Sequence, residues 1–401
     1  MNVLYLNHTG QISGGERSLL DLVSGLPDGV SATVACPDGP LAGAVRDLGL
    51  PVVHFPMTEG SLKLHVWHTA RGVLDIARAT RSVRHLARRL NADLVHANSI
   101  RAGLAGAFAT SLGGKPAVVH VHDRLPAGAV SSLALKQIGK RAAAVIANSQ
   151  YTKASFDHLR PTSAIRVVHG PVDLERFDPG AIDRAEARAR LGFESSTFVL
   201  AVIAQITPWK GQDDAIRILG LVKRSHPNAR LLVVGSPKFV SGATRYDNLA
   251  YLGQLEHLTH SLGLQDDVVF LGERDDIPEL LGGVDLLIHP SWEEPFGLAI
   301  IEAMAMQVPV VATEVGGPSE IVRSGEDGLL LPPRKPEAWA AAISNMIGRP
   351  DLRAEMARKG RARATGMFGR EAHVNAVLAV YEELLNASRA SPGNRAGTVR
   401  P

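Results

Sequence analysis

Cysteine is nearly missing from this chain. Cys36 is the only one in 401 residues, which excludes an internal disulfide and any cysteine-built metal cluster and fits a reducing compartment. Long apolar runs are missing as well. Nowhere do 18 uncharged apolar residues follow one another, and the opening MNVLYLNHTGQ has no basic segment ahead of its short apolar run. The expectation is therefore a cytoplasmic chain that is neither exported nor membrane-spanning. The glycine signatures of a P-loop and of a dinucleotide turn are absent, since no GK[ST] and no GxGxxG occurs at the glycine pair that opens the first helix. What is present is 45% hydrophobic and 21% charged residues, the balance of a globular protein rather than a disordered or fibrous one. The length suits two domains of middling size.

A single-signed charge excess is also missing overall, the net being +3, but residues 1–180 hold 19 Lys/Arg against 13 Asp/Glu while 181–401 hold 24 against 27. Much of the basic excess lies in RATRSVRHLARRLNA, where Arg78, Arg81, Arg84, Arg88 and Arg89 recur at helical spacing with no acid among them, so they are expected to share one side of a helix. The plain reading is a solvated face. The sharper one is a surface for an acidic acceptor or for anionic lipid, which would make the protein peripheral on the inner membrane face. Nucleic acid is disfavoured because no aromatic residues interleave the arginines.

Short apolar runs alternate with segments of helical period almost from end to end, the mark of βα repetition and parallel sheets. The first half carries VLYLN, ATVAC, PVVHF, DLVHANS, AVVHVHD, AAVIANS and IRVVHG; the second carries FVLAVIAQI, ARLLVVGS, DVVFLG, VDLLIHPS and PVVAT. Between them HGPVDLERFDPGAID has no periodicity and marks a boundary near 170–180. The predicted fold is α/β, with two Rossmann-like, doubly wound domains in tandem. Such domains bind ligands at the C-terminal ends of their strands, and a cleft between the two is expected, with closure on the ligand.

Five constellations stand at such ends. In NHTGQISGGERSLLDLV a strand gives way to Gly14 and Gly15 at a helix start, either a tight turn or a place where free N–H groups meet an anion. In VVHVHDRL, His120 and His122 lie on one face of a strand, His122 at its end. They read as a sugar-contacting histidine, as core histidines or as a metal pair, the last disfavoured for want of a third ligand. In AQITPWKGQDDAI, Lys210 and Gly211 lead into a helix, an anion site or a solvated turn. HPSWEEPFGLAIIEAMAMQ places Glu294 in a turn and Glu302 in an apolar helix whose first turn is expected to include Gly297. Such carboxylates are costly to bury unless they bind hydroxyls. A retaining glycosidase pair is the competing reading, but no barrel pattern accompanies it. VATEVGGPSEIV repeats the strand–glycine–helix device with Gly316 and Gly317.

In this order the motifs resemble the GT-B-fold glycosyltransferases of glycosyltransferase family 4 (glycosyl transferases group 1), from SGGERSLLDL through LVHANS, VVHVHD, VIANS, HGPVDLERF, PWKG and FLGERDDIPELL to PSWEEPFGLAIIEAMA, PVVATEVGGPSEIV and DGLLLPP. The resemblance implies an acceptor-binding domain over 1–172, a nucleotide-sugar-binding domain over 173–368, a helix 369–390 crossing back to the first domain and a frayed tail 391–401. It implies a retaining hexosyltransferase that uses a nucleotide diphosphate sugar, most often of uridine, with no cofactor and no metal. His122 would lie by the transferred sugar and Gly14 and Gly15 by the donor phosphates. Lys210 and the N–H groups of Phe296, Gly297 and Leu298 would hold the diphosphate. Glu294 would contact sugar hydroxyls, and Glu302 the ribose.

Two departures matter. Gln205 stands where the family commonly has a phosphate-binding arginine, which removes a cation unless Arg17, Arg274 or an acceptor-side group compensates. Ser13 and Gln307 stand where glycine is frequent. A nucleotide-sugar-binding subunit with weak turnover and a GT-B sugar-nucleotide epimerase are the alternatives. The acceptor is not legible: MTEGSLKLHVWHTARG offers Lys63, His65, Trp67 and His68 without a pattern that names a molecule.

Overall fold

The computed structural model describes residues 1–55, 66–238 and 246–390, with side chains undescribed at 66–73 and 388–390. Lys63, His65, the side chains of Trp67 and His68, and the tail 391–401 therefore lie outside the described residues. The chain divides into two compact units: residues 1–170 with the segment from 370 onward, and residues 171–369.

The first unit is built on seven strands: β1 (Asn2–Leu6), β2 (Ser31–Cys36), β3 (Val52–His54), β4 (Leu94–Ala97), β5 (Ala117–Val121), β6 (Ala144–Ala147) and β7 (Ala164–Val167), in the order 3-2-1-4-5-6-7. Every pairing is parallel, with Tyr5 opposite His96 and His120 opposite Ile146. Parallel strands are covered on both faces, so near-continuous Val/Ala/Ile runs form them. Alternate residues go to opposite cores: Leu4, Leu6, Val95, Val119 and Val145 to one, Val3, Tyr5, Val34, Val118 and Ile146 to the other. The helix Arg370–Ala390 completes the second of these cores with Val374, Val377, Val380 and Tyr381.

The second unit holds β8 (Phe198–Ile203), β9 (Ala229–Val234), β10 (Val268–Gly272), β11 (Leu286–His289), β12 (Val310–Thr313) and β13 (Leu329–Leu331), all parallel, in the order 10-9-8-11-12-13. The edge strand β13 is not among the runs singled out in the sequence. It is three leucines long, half-buried throughout, and has no β-branched residue to mark it. The unit begins at Pro171, where Val172 N–H donates to Phe368 O at 2.7 Å and Val172 pairs with Gly369.

The arginine helix forms over Val66–Arg89, but its arginines do not all share one side. Arg78, Arg81, Arg88 and Arg89 are exposed, whereas Arg84 is half-buried beside the buried Val83, Leu86 and Ala87. Among the described residues no helix is long and apolar enough to cross a membrane.

Inside the first unit the Tyr381 hydroxyl lies 2.5 Å from His96 Nδ1, both groups fully buried. Tyr381→Phe leaves that nitrogen without a partner at nearly unchanged volume, which should cost ~1–3 kcal/mol. Denaturant unfolding followed by hydrogen exchange in β4 should show the loss; an unchanged midpoint would remove this bond from the account of the core.

Candidate functional site

Each unit carries its own set of polar groups at the C-terminal ends of its strands. In the first, β1, β4 and β5 are neighbours and are followed by Asn7, Asn98 and His122. The first two are buried at 0% and 2% exposure, and His122 keeps part of its surface open. Asn7 Nδ2 donates to Thr9 O at 2.8 Å and to Glu16 Oε1 at 3.1 Å. Asn98 Nδ2 donates to Gly15 O at 3.0 Å and to Asn7 Oδ1 at 3.2 Å. His122 Nε2 lies 2.9 Å from Asn98 Oδ1.

The helix Gly14–Ser24 enters this network through Glu16, whose Oε2 accepts from the Ser13 N–H at 3.1 Å and from the Ser13 hydroxyl, part of a capping box. Ser13 is thus a capping residue. Gly15 has a packing reason of its own, since a Cβ there would lie 3.2 Å from His122 Cδ2.

His122 sits in a histidine cluster that the sequence only half revealed. Its ring stacks on His120 with centroids 4.1 Å apart, and His120 lies 5.4 Å from His96 and 6.0 Å from His373. Burial, then the neighbouring His373, pushes His122 down to about 3. Burial does the same for His96, to about 3, and for His373, to about 4 against the hydrogen bond that its Nδ1 donates to His169 O. His120, buried with neither ring nitrogen bonded among the described residues, is lowered well below its ordinary value, by burial first. All four rings are neutral near pH 7. Among the described residues no three His, Cys, Asp or Glu side chains converge as a metal site would need.

In the second unit β8, β11 and β12 are neighbours, and three turns meet beyond their ends. The turn after β8 carries Lys210 and Gly211. Gly211 has φ +72°, and a Cβ on it would fall 2.2 Å from Pro290 O, so no other residue lets this turn sit against the one after β11. Lys210 Nζ lies 4.0 Å from the centre of the Trp209 ring and donates to Glu294 Oε2 at 2.5 Å. His289 Nε2 is 2.6 Å from the same oxygen and Ser291 Oγ donates to it at 3.3 Å. All three bonds converge on Oε2, and Oε1 takes none among the described residues.

Glu294 is only 5% exposed. Burial pushes its carboxyl up, but the Lys210 ammonium and then His289 outweigh that and hold it down to about 2. A carboxylate kept ionised with one oxygen unspent can accept hydrogen bonds from hydroxyls.

The turn after β12 seats this carboxylate. Glu294 N–H donates to Val315 O at 3.2 Å and Gly317 N–H to Glu294 O at 2.8 Å. A Cβ on Gly316, at φ +101°, would lie 2.1 Å from Glu294 O, and one on Gly317 would lie 2.4 Å from Phe296 Cα. The second glycine pair therefore serves backbone contact with the Glu294 turn. The helix it precedes is only Pro318–Ile321.

The helix after Glu294 starts later than expected. It spans Leu298–Ala305, with Gly297 as its N-cap at φ +113° rather than within the first turn. Phe296 is core, its ring 6.0 Å from that of Phe368. Glu302 lies one turn into the helix at 8% exposure. Gln205 Nε2 donates to Lys238 O at 3.4 Å, and Gln205 O accepts from Gln212 Nε2 at 2.8 Å. Arg274 makes a two-pronged ion pair with Asp276. Sequence reasoning missed His289, Ser291, Asn7 and Asn98, whose only signal is a polar residue at or just past the end of a buried strand.

These shifts predict different acid responses. His96 and His122, at about 3 when folded against 6.5, contribute stability that is complete above pH 6.5 and lost as pH falls toward 3. Glu294, at about 2 against 4.5, contributes stability that is complete above pH 4.5 and lost only as pH falls toward 2. Hydrogen exchange at pH 7, 5.5 and 4.5 should show β4 and β5 losing protection before β11 and β12. The reverse order would contradict the assignment.

A family model described as glycosyl transferases group 1 matches residues 183–363, and one described as glycosyltransferase family 4 matches residues 12–176. A D-inositol 3-phosphate glycosyltransferase of Salinispora arenicola is 30% identical over 373 residues, 87% of this chain and 77% of that one. Its counterpart in Saccharomonospora viridis is 31% identical over 313 residues, covering 74% and 71%. Among solved structures, Anabaena HepE in complex with UDP-glucose superposes with a TM-score of 0.82 at 27% identity, covering 96% of this chain and all of that one. The same protein with UDP and glucose gives 0.81 at 28% identity, covering 95% and 99%.

Proposed function

The chain belongs to the glycosyl transferases group 1, in glycosyltransferase family 4, and from that premise we propose that this glycosyltransferase moves a hexose from a uridine diphosphate sugar to an acceptor hydroxyl with retention, without a metal. The observation that carries the reading is the ionised, nearly buried Glu294, held through Oε2 by Lys210, His289 and Ser291 with Oε1 free for sugar hydroxyls. Uridine is supported by the HepE complexes with UDP and UDP-glucose. A phosphorylated polyol acceptor is one candidate, from the D-inositol 3-phosphate glycosyltransferases.

In the proposed reaction the acceptor oxygen attacks the anomeric carbon on the face the diphosphate leaves. The bond from that carbon to the phosphate oxygen breaks, the new glycosidic bond forms, and the acceptor proton passes to the departing phosphate. No protein nucleophile is needed. Lys210 and the N–H groups around Gly297 and Leu298 would meet the charge on the leaving group. Glu294 would steady the oxocarbenium-like sugar through its hydroxyls and its charge. Glu302 would accept both hydrogen bonds of the ribose diol, and His122 and Gly15 would serve the transferred sugar and the donor phosphates.

A thermal-shift titration tests the donor. UDP at about 100 times its Kd should stabilise the protein by ~2.7 kcal/mol, and Glu302→Ala should abolish that shift, each midpoint being compared with that of the same protein without UDP. Equal shifts in both proteins would remove Glu302 from the ribose. The alternative, a binding subunit with weak turnover, is motivated by Gln205. Gln205→Arg should raise turnover about tenfold if a charge-assisted bond to the leaving group is all that is lacking. Tight UDP binding with no transfer in either protein would favour the subunit.

A further inference from the structure

We propose that Asn98, braced by Asn7 and Glu16, is a positioning residue that fixes His122 as its Nε2–H tautomer, so that Nδ1 meets the substrate only as a hydrogen-bond acceptor. The donors in this network are fixed one after another. Gly15 O and Thr9 O are carbonyls and can only accept. The nitrogen of Asn98 must therefore face Gly15 O, and that of Asn7 must face Thr9 O and the Glu16 carboxylate. Asn7 Oδ1 is then an acceptor, which the second Asn98 N–H fills at 3.2 Å. Asn98 Oδ1 is left as an acceptor 2.9 Å from His122 Nε2, so that nitrogen carries the proton.

In the neutral ring Nδ1 is then a bare lone pair, on the ring edge opposite the Cδ2 that Gly15 touches. It has no partner among the described residues. The ring stays neutral because it is packed against His120 on the strand it follows, with His96 and Tyr381 behind that ring and His373 on the helix Arg370–Ala390. The nearest carboxylate in the network, Glu16, is separated from it by two amides and is occupied by Ser13 and Asn7. The consequence is a specificity rule. The group at Nδ1 must bring its own proton, which admits a sugar or polyol hydroxyl and rejects a phosphate or carboxylate oxygen. This rests on the glycosyltransferase reading for the identity of the ligand, but the tautomer itself does not.

The test uses the full chain labelled with 15N-histidine, with His122 assigned by its loss in His122→Gln. Long-range 1H–15N correlation in the unliganded protein should show Nε2 protonated, Nδ1 unprotonated, and no titration of this ring between pH 8 and 5. A Nδ1–H tautomer or an imidazolium in that range would overturn the proposal. Asn98→Asp places a carboxylate against Nε2–H. It should bring the His122 titration into the range between pH 5 and 8 and move the acid limb of the transfer rate up with it, with kcat/KM reduced about tenfold at neutral pH. A merely structural role for Asn98 would lower stability and leave the titration where it was, which counts against the proposal. If Asn98→Asp does not fold, the wild-type spectrum alone decides. An Nε2–H ring in a protein that transfers no sugar would leave the tautomer standing and remove the functional reading instead.

Discussion

A carboxylate with 5% of its surface exposed stays ionised only if cations and donors replace the water it has lost, and Glu294 has Lys210, His289 and Ser291 on one oxygen. Much of the second unit's local structure follows from that requirement. The desolvation cost of such a pair is several kcal/mol per ion, and removing one partner from it costs ~3–5 kcal/mol. The partners must therefore be held by backbone rather than by flexible side chains. Lys210 comes from the turn after β8, which can close on Pro290 only because residue 211 is glycine. Ser291 and Glu294 follow β11, His289 ends it, and the turn after β12 clamps the Glu294 backbone because residues 316 and 317 are glycines. Three parallel strands thus converge on a single polarised oxygen, and leave the other without a bond among the described residues.

The same constraint acts in the first unit with neutral groups in place of ions. Strands covered on both faces favour polar side chains at their C-terminal ends, and there Asn7, Asn98 and His122 satisfy one another and the start of the helix Gly14–Ser24. Burial does opposite work in the two places. It keeps the histidines neutral by depriving a charge of water, and it makes Glu294 depend on Lys210. One set is therefore sensitive to mild acid, and the other is not.

The strands were legible because a buried parallel strand has to be an apolar run of a few residues, and twelve such runs stand out. β13 did not, since three half-buried leucines at a sheet edge carry no pattern of their own. The glutamates of EEPFGLAIIE, Lys210 and His122 were legible as polar residues among apolar ones at strand ends. Their partners were less so, because His289 and Asn98 look like ordinary strand-end residues until the fold shows which side chains they meet. The glycines stand out in the sequence as tight turns, anion-admitting positions or helix starts. The structure adds that a Cβ on Gly211, Gly316 or Gly317 would collide with a specific backbone neighbour and one on Gly15 would press on the His122 ring, contacts that spacing along the chain does not encode.

Gln205 sharpens what the charge around Glu294 implies. Lys210 is matched one for one by Glu294, so together they present no net positive charge to an incoming diphosphate. Gln205 faces Lys238 O rather than adding a cation, and Arg274 is paired with Asp276. Within the Glu294 cluster, the surplus for the proposed reaction would come from N–H dipoles at the helix Leu298–Ala305 and from any transfer of the Lys210 contact from Glu294 to phosphate. The second source has a price: Glu294 would then keep only His289 and Ser291 against the burial that pushes its carboxyl up. Sugar hydroxyls on Oε1 would offset that loss. Phosphate at Lys210 and hydroxyls at Glu294 are therefore coupled, so the diphosphate alone should be held less well by this site than the intact nucleotide sugar. An arginine at position 205 would loosen that coupling by supplying a cation that Glu294 does not need.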